Sequence, residues 1–154
     1  MELRVEPADA ASDEARALVQ AYIDEIAATF PSGFDPDASV SADPAELTPP
    51  HGTFLVVRRP DGTAVGCGAV KLLGPDTAEV KRMWLHGSTR GLGAGRLLLD
   101  ALEQAARDLG ATRGCLDTNG QLAAAVALYR RSGWQEVEPY NDNRYATHWF
   151  AKEL

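Results

Sequence analysis

Residues 90–95 read Arg-Gly-Leu-Gly-Ala-Gly. They stand between a run with strand character, Ala78-Glu79-Val80-Lys81-Arg82-Met83-Trp84-Leu85, and a run with helix character that starts at Arg96. A glycine-rich turn that opens a helix leaves main-chain N–H groups without helical partners. The helix dipole concentrates partial positive charge at the same end, so a phosphate-like anion is favoured there. The candidate donors are the N–H groups of Gly91, Leu92, Gly93, Ala94, Gly95 and Arg96. Glycine lets the backbone approach a ligand closely, and the side chains of Arg90 and Arg96 add positive charge.

Two further residues could move protons. Tyr129 lies at helical spacing with Leu122, Ala125 and Val126, a stripe that by itself marks the inner face of a helix. A phenol stays protonated at neutral pH. Glu79 is a carboxylate inside a strand. By itself it reads as a charge at a solvated edge, or as a partner of Lys81 or Arg58. Simple alternation puts Glu79, Lys81, Met83 and Leu85 on one face and Val80, Arg82 and Trp84 on the other. A metal site is not expected. His51, His86 and His148 are scattered, and no CxxC or HxxxH spacing exists. His148 reads as structural. Cys67 and Cys115 lie in apolar runs and read as buried thiols in a reducing, cytoplasmic setting.

The elements that must position these residues follow from periodicity and turn chemistry. Leu3–Glu6 alternates as a first strand. Asp9–Phe30 carries a helical stripe of Ala15, Leu18, Val19, Tyr22, Ile23 and Ile26, with Ser12 or Asp13 as N-cap. Pro31–Pro50 reads as loop with a short helix near Pro44–Leu47. Strands follow at Phe54–Val57, Ala64–Leu73 and Ala78–Leu85, joined by turns at Arg59–Gly62 and Gly74–Asp76. The helix after the glycine turn runs to about Leu109 and stops at Gly110. A strand at Thr112–Asp117, a helix at Leu122–Arg131 and strands at Trp134–Val137 and Tyr145–Lys152 complete the chain. The order β-α-β-β-β-α-β-α-β-β predicts an α/β (α+β) domain. Its sheet is mixed and mostly antiparallel, with about seven strands, helices on both faces and one parallel pair across the later βαβ passage.

Size and charge exclude several functions. The chain has 154 residues, enough for one domain with a core of its own. Its formal net charge of −7 argues against nucleic-acid partners. No apolar run reaches the length of a membrane span, and the first residues have no basic and apolar pattern of an export signal. A dinucleotide-binding turn is excluded because residue 96 is Arg where G-x-G-x-x-G needs glycine.

The turn at Arg90, Gly93 and Gly95 fits Arg/Gln-x-x-Gly-x-Gly/Ala. About 35 residues later, Ala125-Val126-Ala127-Leu128-Tyr129-Arg130-Arg131-Ser132-Gly133-Trp134 reads as a helix ending in Leu-Tyr, followed by glycine and an aromatic residue. In this element order, the pair of motifs resembles the GNAT superfamily of acyl-CoA-dependent N-acyltransferases. The resemblance covers residues 54–150 well and the first 50 only loosely. Two positions depart from the family pattern. Gly87 stands where members often have proline, and Leu122 stands where they often have asparagine, Asn119 being the nearest.

The resemblance implies a single domain that binds acetyl-CoA as co-substrate, with no metal. The turn from Arg90 to Arg96 would hold the pyrophosphate. Trp84 and Leu85 would offer main-chain groups to the pantetheine arm between splayed strands, and Asn119 would contact the same arm. A main-chain N–H near Met83 would polarise the thioester carbonyl. Tyr129 would be the general acid, in contact with the coenzyme, and Glu79 a base acting directly or through water. The reaction implied is acetyl transfer to a primary amine of a small-molecule acceptor by direct attack in a ternary complex. A non-catalytic acyl-CoA-binding module, or acetylation of a protein or peptide amine, is the alternative. A homodimer is compatible with the family. For the acceptor, the acidic and aromatic segment Glu136–Tyr145 suits a cationic amine, whereas Arg82 and Arg144 would suit a carboxylate.

Overall fold

In a computed structural model, residues 2–30 and 43–154 are described. The strands are β1 (Arg4–Ala8), β2 (Gly52–Arg58), β3 (Ala64–Leu72), β4 (Thr77–Leu85), β5 (Arg113–Thr118), β6 (Gln135–Val137) and β7 (His148–Glu153). The helices are α1 (Asp13–Thr29), α2 (Ala94–Asp108) and α3 (Ala123–Arg131), with short 3-10 turns at Pro44–Leu47 and Gly87–Thr89. The seven strands form one sheet in the order β1-β2-β3-β4-β5-β7-β6. Only β4 and β5 run parallel; every other neighbouring pair is antiparallel. The expected mixed sheet is therefore present. Of the loop expected over Pro31–Pro50, residues 31–42 lie outside the described residues.

Local chemistry sets the helix limits. α1 begins at Asp13, as the expected cap implies, and Asp9 forms the turn before it: its carbonyl accepts from the Ser12 N–H at 3.0 Å and its side chain from the Ala11 N–H at 2.9 Å. Ser12 then caps the helix, its hydroxyl accepting from the Ala15 N–H at 3.1 Å. Just past the C-cap Leu109 of α2, Gly110 takes φ 97°, the left-handed conformation that closes a helix.

Each face of the sheet has its own core. On one side Leu98, Leu99 and Leu102 of α2, with Val126 and Tyr129 of α3, pack on Val57, Val70, Val80 and Phe150. On the other side Ala15 and Leu18 of α1 pack on Phe54, Val56, Cys67 and Ala69. Each fully buried leucine contributes about 1.5–3 kcal/mol of hydrophobic stabilisation. Both cysteines are free and buried, as their apolar surroundings predict.

One irregularity changes the site. Ala69 pairs with Lys81 and Cys67 with Trp84, so Gly68 alone faces both Arg82 and Met83. The extra residue is a β-bulge, and Arg82 adopts φ 55°, a left-handed conformation unusual for a side chain of its size. Strict alternation is therefore wrong beyond Lys81. The bulge inverts the pattern, and Met83 and Leu85 join the α2 side, where Val80 and Ala78 also lie. Glu79, Lys81 and Trp84 share the α1 side.

A second feature opens the sheet. β4 and β5 pair only at Thr77 with Arg113, Ala78 with Gly114 and Glu79 with Cys115. From Val80 onward the two strands part, while β5 stays paired with β7 as far as Thr118. The edge of β4 from Val80 to Leu85 therefore faces a gap rather than a strand.

Candidate active site

The glycine turn sits at the open end of this gap. His86 caps the short 3-10 turn, its Nδ1 accepting from the Ser88 N–H at 3.0 Å, and the Thr89 hydroxyl donates to the His86 carbonyl at 2.7 Å. Gly91 and Gly93 take φ values of 78° and 72°, which glycine adopts without strain. Gly93 is the N-cap of α2. The Leu92 and Leu97 N–H groups bond back to Thr89 and Gly93. Those of Gly91, Gly93, Ala94, Gly95 and Arg96 have no partner among the described residues. The donors thus converge on solvent at a helix N-terminus, the arrangement a diphosphate requires. Arg96 is held by Asp100 at 3.0 Å, whereas the exposed Arg90 side chain makes no bond among the described residues.

Deeper in, Tyr129 reaches from α3 to the unpaired part of β4. Its hydroxyl lies 3.8 Å from the Met83 sulfur, and its ring packs on Phe150 and Trp134. Burial pushes the phenol above its ordinary range, and the charge of Asp117 adds to that effect. Tyr129 therefore holds its proton at any physiological pH.

A cavity of about 280 Å³ lies beside the gap, between α1, β4, β5 and the loop before β7. Glu79, Arg82, Met83, Asp117, Asn119 and Tyr129 all contribute to its wall. Glu79 is buried in a central strand and is not an edge charge. One of its oxygens meets Lys81 Nζ at 3.0 Å, and the other accepts from the Tyr140 hydroxyl at 2.5 Å. Arg58 is not its partner; that guanidinium pairs with Glu6 and Glu14. Burial and the Glu79 charge push the Tyr140 phenol upward, so it serves Glu79 as a donor.

Asp117, which sequence reading missed, is the second carboxylate in the wall. Its oxygens accept from the Asn141 side chain at 2.6 Å and the Asn143 side chain at 3.0 Å, and Trp149 holds Asn141 at 3.0 Å. The signal available was a charged residue following the apolar strand run Gly114-Cys115-Leu116. Tyr22 was also missed, because it sits in the apolar stripe of α1. Asn119 donates to the Tyr145 carbonyl at 2.7 Å and accepts from the Gln121 N–H at 2.8 Å, so its amide braces the loop before β7. Of the two arginines considered for a carboxylate, Arg82 lines the cavity, whereas Arg144 lies over the Tyr145 ring at 5.2 Å. His148 stacks on Phe150. Among the described residues no group of His, Cys, Asp and Glu could hold a metal ion, and no helix is long and apolar enough to cross a membrane.

Comparison with known proteins agrees with this geometry. The profile of the Acetyltransferase (GNAT) family matches residues 16–134. An uncharacterized N-acetyltransferase of Schizosaccharomyces pombe is 37% identical over 134 residues, covering 85% of this chain and 80% of its own length. IAA acetyltransferase of Azospirillum brasilense is 36% identical, covering 80% of each chain. A GNAT family acetyltransferase from Elizabethkingia anophelis, solved with acetyl-CoA bound, shares the fold at a TM-score of 0.68 with 16% identity, covering 99% of this chain and 98% of its own. The chain belongs to the GNAT family and is an N-acetyltransferase.

Proposed function

We propose that the protein moves an acetyl group from acetyl-CoA to the primary amine of a small acceptor, by direct attack within a ternary complex. The observation that carries this reading is a coincidence of place. A turn of unpartnered N–H groups, a gap between parallel strands and a protonated phenol lie in succession along β4. The turn from Arg90 to Arg96 holds the diphosphate, with Arg90 and Arg96 adding charge. Main-chain groups of β4 at Trp84 and Leu85 pair with the amides of the pantetheine arm. The Met83 N–H, freed from strand pairing, stabilises the thioester oxygen as it gains negative charge.

Glu79 takes the proton of the attacking amine, directly or through a water, while Lys81 and Tyr140 fix its orientation. The C–N bond forms and the C–S bond breaks. The departing thiolate, with a pKa of about 8.5 by analogy with cysteine, takes the phenolic proton of Tyr129, which is restored from solvent. Asn119, just past the end of β5, steadies the loop over the cavity. Homodimers are compatible with this arrangement, since the cavity is built from one chain.

The test is release of free coenzyme A thiol from acetyl-CoA against a panel of amines, amino acids, polyamines and aminoglycosides, with calorimetric titration of coenzyme A alone. Coenzyme binding with amine-dependent thiol release is the expected result. Coenzyme binding without turnover on any amine would identify a sensing module, and absence of coenzyme binding would remove the reading altogether.

A further inference from the structure

The two sides of the cavity differ in chemistry. Its α1 side is an apolar wall of Val19, Ile23, Ile26 and Phe30, completed by the Tyr145 ring. The Tyr22 hydroxyl projects from the same helix and makes no hydrogen bond among the described residues, although it is not sealed from solvent. Burial raises its phenol to about 12; the Asp117 charge raises it and the Arg82 charge opposes that rise, so both charges act on this hydroxyl. Arg82 reaches the cavity through the β-bulge. It is held in a left-handed conformation, which persists only where the surroundings enforce it. Among the described residues, the charged ones in the wall are Glu79, Lys81, Arg82 and Asp117, two of each sign. Glu79 is matched by Lys81. Asp117 is held by neutral amides, which leave its charge in place. A wall of balanced charge suits a ligand that carries both signs, and an apolar surface beside it suits a ligand with a non-polar body.

We propose that the acceptor is an amine that also bears a carboxylate and an apolar body, as a free α-amino acid with a hydrophobic side chain does, with Arg82 holding the carboxylate and Tyr22 donating to it. The amine then lies toward the carboxylates of Asp117 and Glu79 and the gap, and the non-polar body lies along α1. This inference rests on the acetyl-transfer reading, but its test does not depend on turnover. Leucine, phenylalanine and methionine, each beside its carboxylate-free amine, are titrated calorimetrically into protein saturated with coenzyme A. At least one amino acid binds about 10- to 100-fold more tightly than its amine, the range expected for hydrogen bonds to a charged group. Arg82→Gln abolishes that preference, and Tyr22→Phe, which removes one oxygen and keeps the ring, reduces it several-fold. Unchanged coenzyme affinity reports that each variant is folded, and Tyr22→Phe decides alone if Arg82→Gln is not.

Equal affinity within every pair, tighter binding of the plain amines, or binding of neither member overturns the proposal. Thiol release across the same panel bears on the transfer itself. Carboxylate-dependent binding without release leaves the seat standing and removes the transfer. Release with the carboxylate-free amines alone removes the seat and keeps the transfer.

Discussion

Replacing Tyr129 by Phe separates catalysis from stability, because the hydroxyl does so little for the resting fold. Its one hydrogen bond among the described residues is to a thioether sulfur at 3.8 Å, a weak acceptor at long range. The ring, which packs on Phe150 and Trp134, is kept. Loss of a hydrogen bond of this quality costs at most about 0.5 kcal/mol, a small shift in melting temperature for a chain of this length. The effect on chemistry is far larger. A positioned general acid contributes about 10²–10⁴ in rate, or about 3–5 kcal/mol of transition-state stabilisation. Because burial raises the phenol, it stays protonated through the whole accessible pH range, and no basic limb below about pH 10 belongs to it. The assays are thiol release at saturating acetyl-CoA, calorimetric titration of coenzyme A and thermal unfolding. The expected result is kcat lowered at least about a hundredfold, with coenzyme affinity and melting temperature near their original values. An unchanged kcat removes Tyr129 from the reaction. A large drop in melting temperature shows instead that the hydroxyl has a structural partner.

Gly93→Ala meets no atom within 4 Å but must hold φ 72°, which costs an alanine about 1 kcal/mol; unfolding should show that loss, and coenzyme titration several-fold weaker binding at the turn. Glu79→Gln removes the charge facing Lys81 inside the sheet and should cost about 3 kcal/mol in chemical denaturation. It should also lower kcat about 10²–10⁴-fold; an unchanged kcat leaves Glu79 with a structural role only. Alkaline stability follows from groups that burial raises: Cys67 to about 12, Cys115 to about 11 and Tyr22 to about 12. Each keeps its proton in the fold when the unfolded chain has lost it, so its contribution is intact below about pH 8.5–10 and is lost as pH rises toward the folded value. Each group in that window lowers stability by about 1.4 kcal/mol per pH unit, and denaturation midpoints that stay level from pH 8 to 10.5 would contradict it.

Local signals made most of the fold legible. The glycine turn, Gly110 and the Ser12 cap each act within a few residues, and the apolar periods of α2 and α3 are strong enough to place both helices. What the sequence concealed is what depends on one strand's relation to another. Nothing in Lys81-Arg82-Met83-Trp84 announces that Gly68 will face two residues instead of one, yet that extra residue decides the sides on which Met83 and Leu85 lie. The same holds for polar partners. Glu79 meets Tyr140 and Asp117 meets Asn143 across 61 and 26 positions of chain, a distance over which periodicity carries no information. Both of those bonds come from the loop between β6 and β7, which composition alone marks as polar and solvent-facing. The sheet opens where β4 stops pairing with β5, and this loop places neutral donors on the two carboxylates beside that opening. Chemistry at the site is therefore set by two departures from regular structure, the bulge and the gap, and both occur in the strand that leads into the glycine turn.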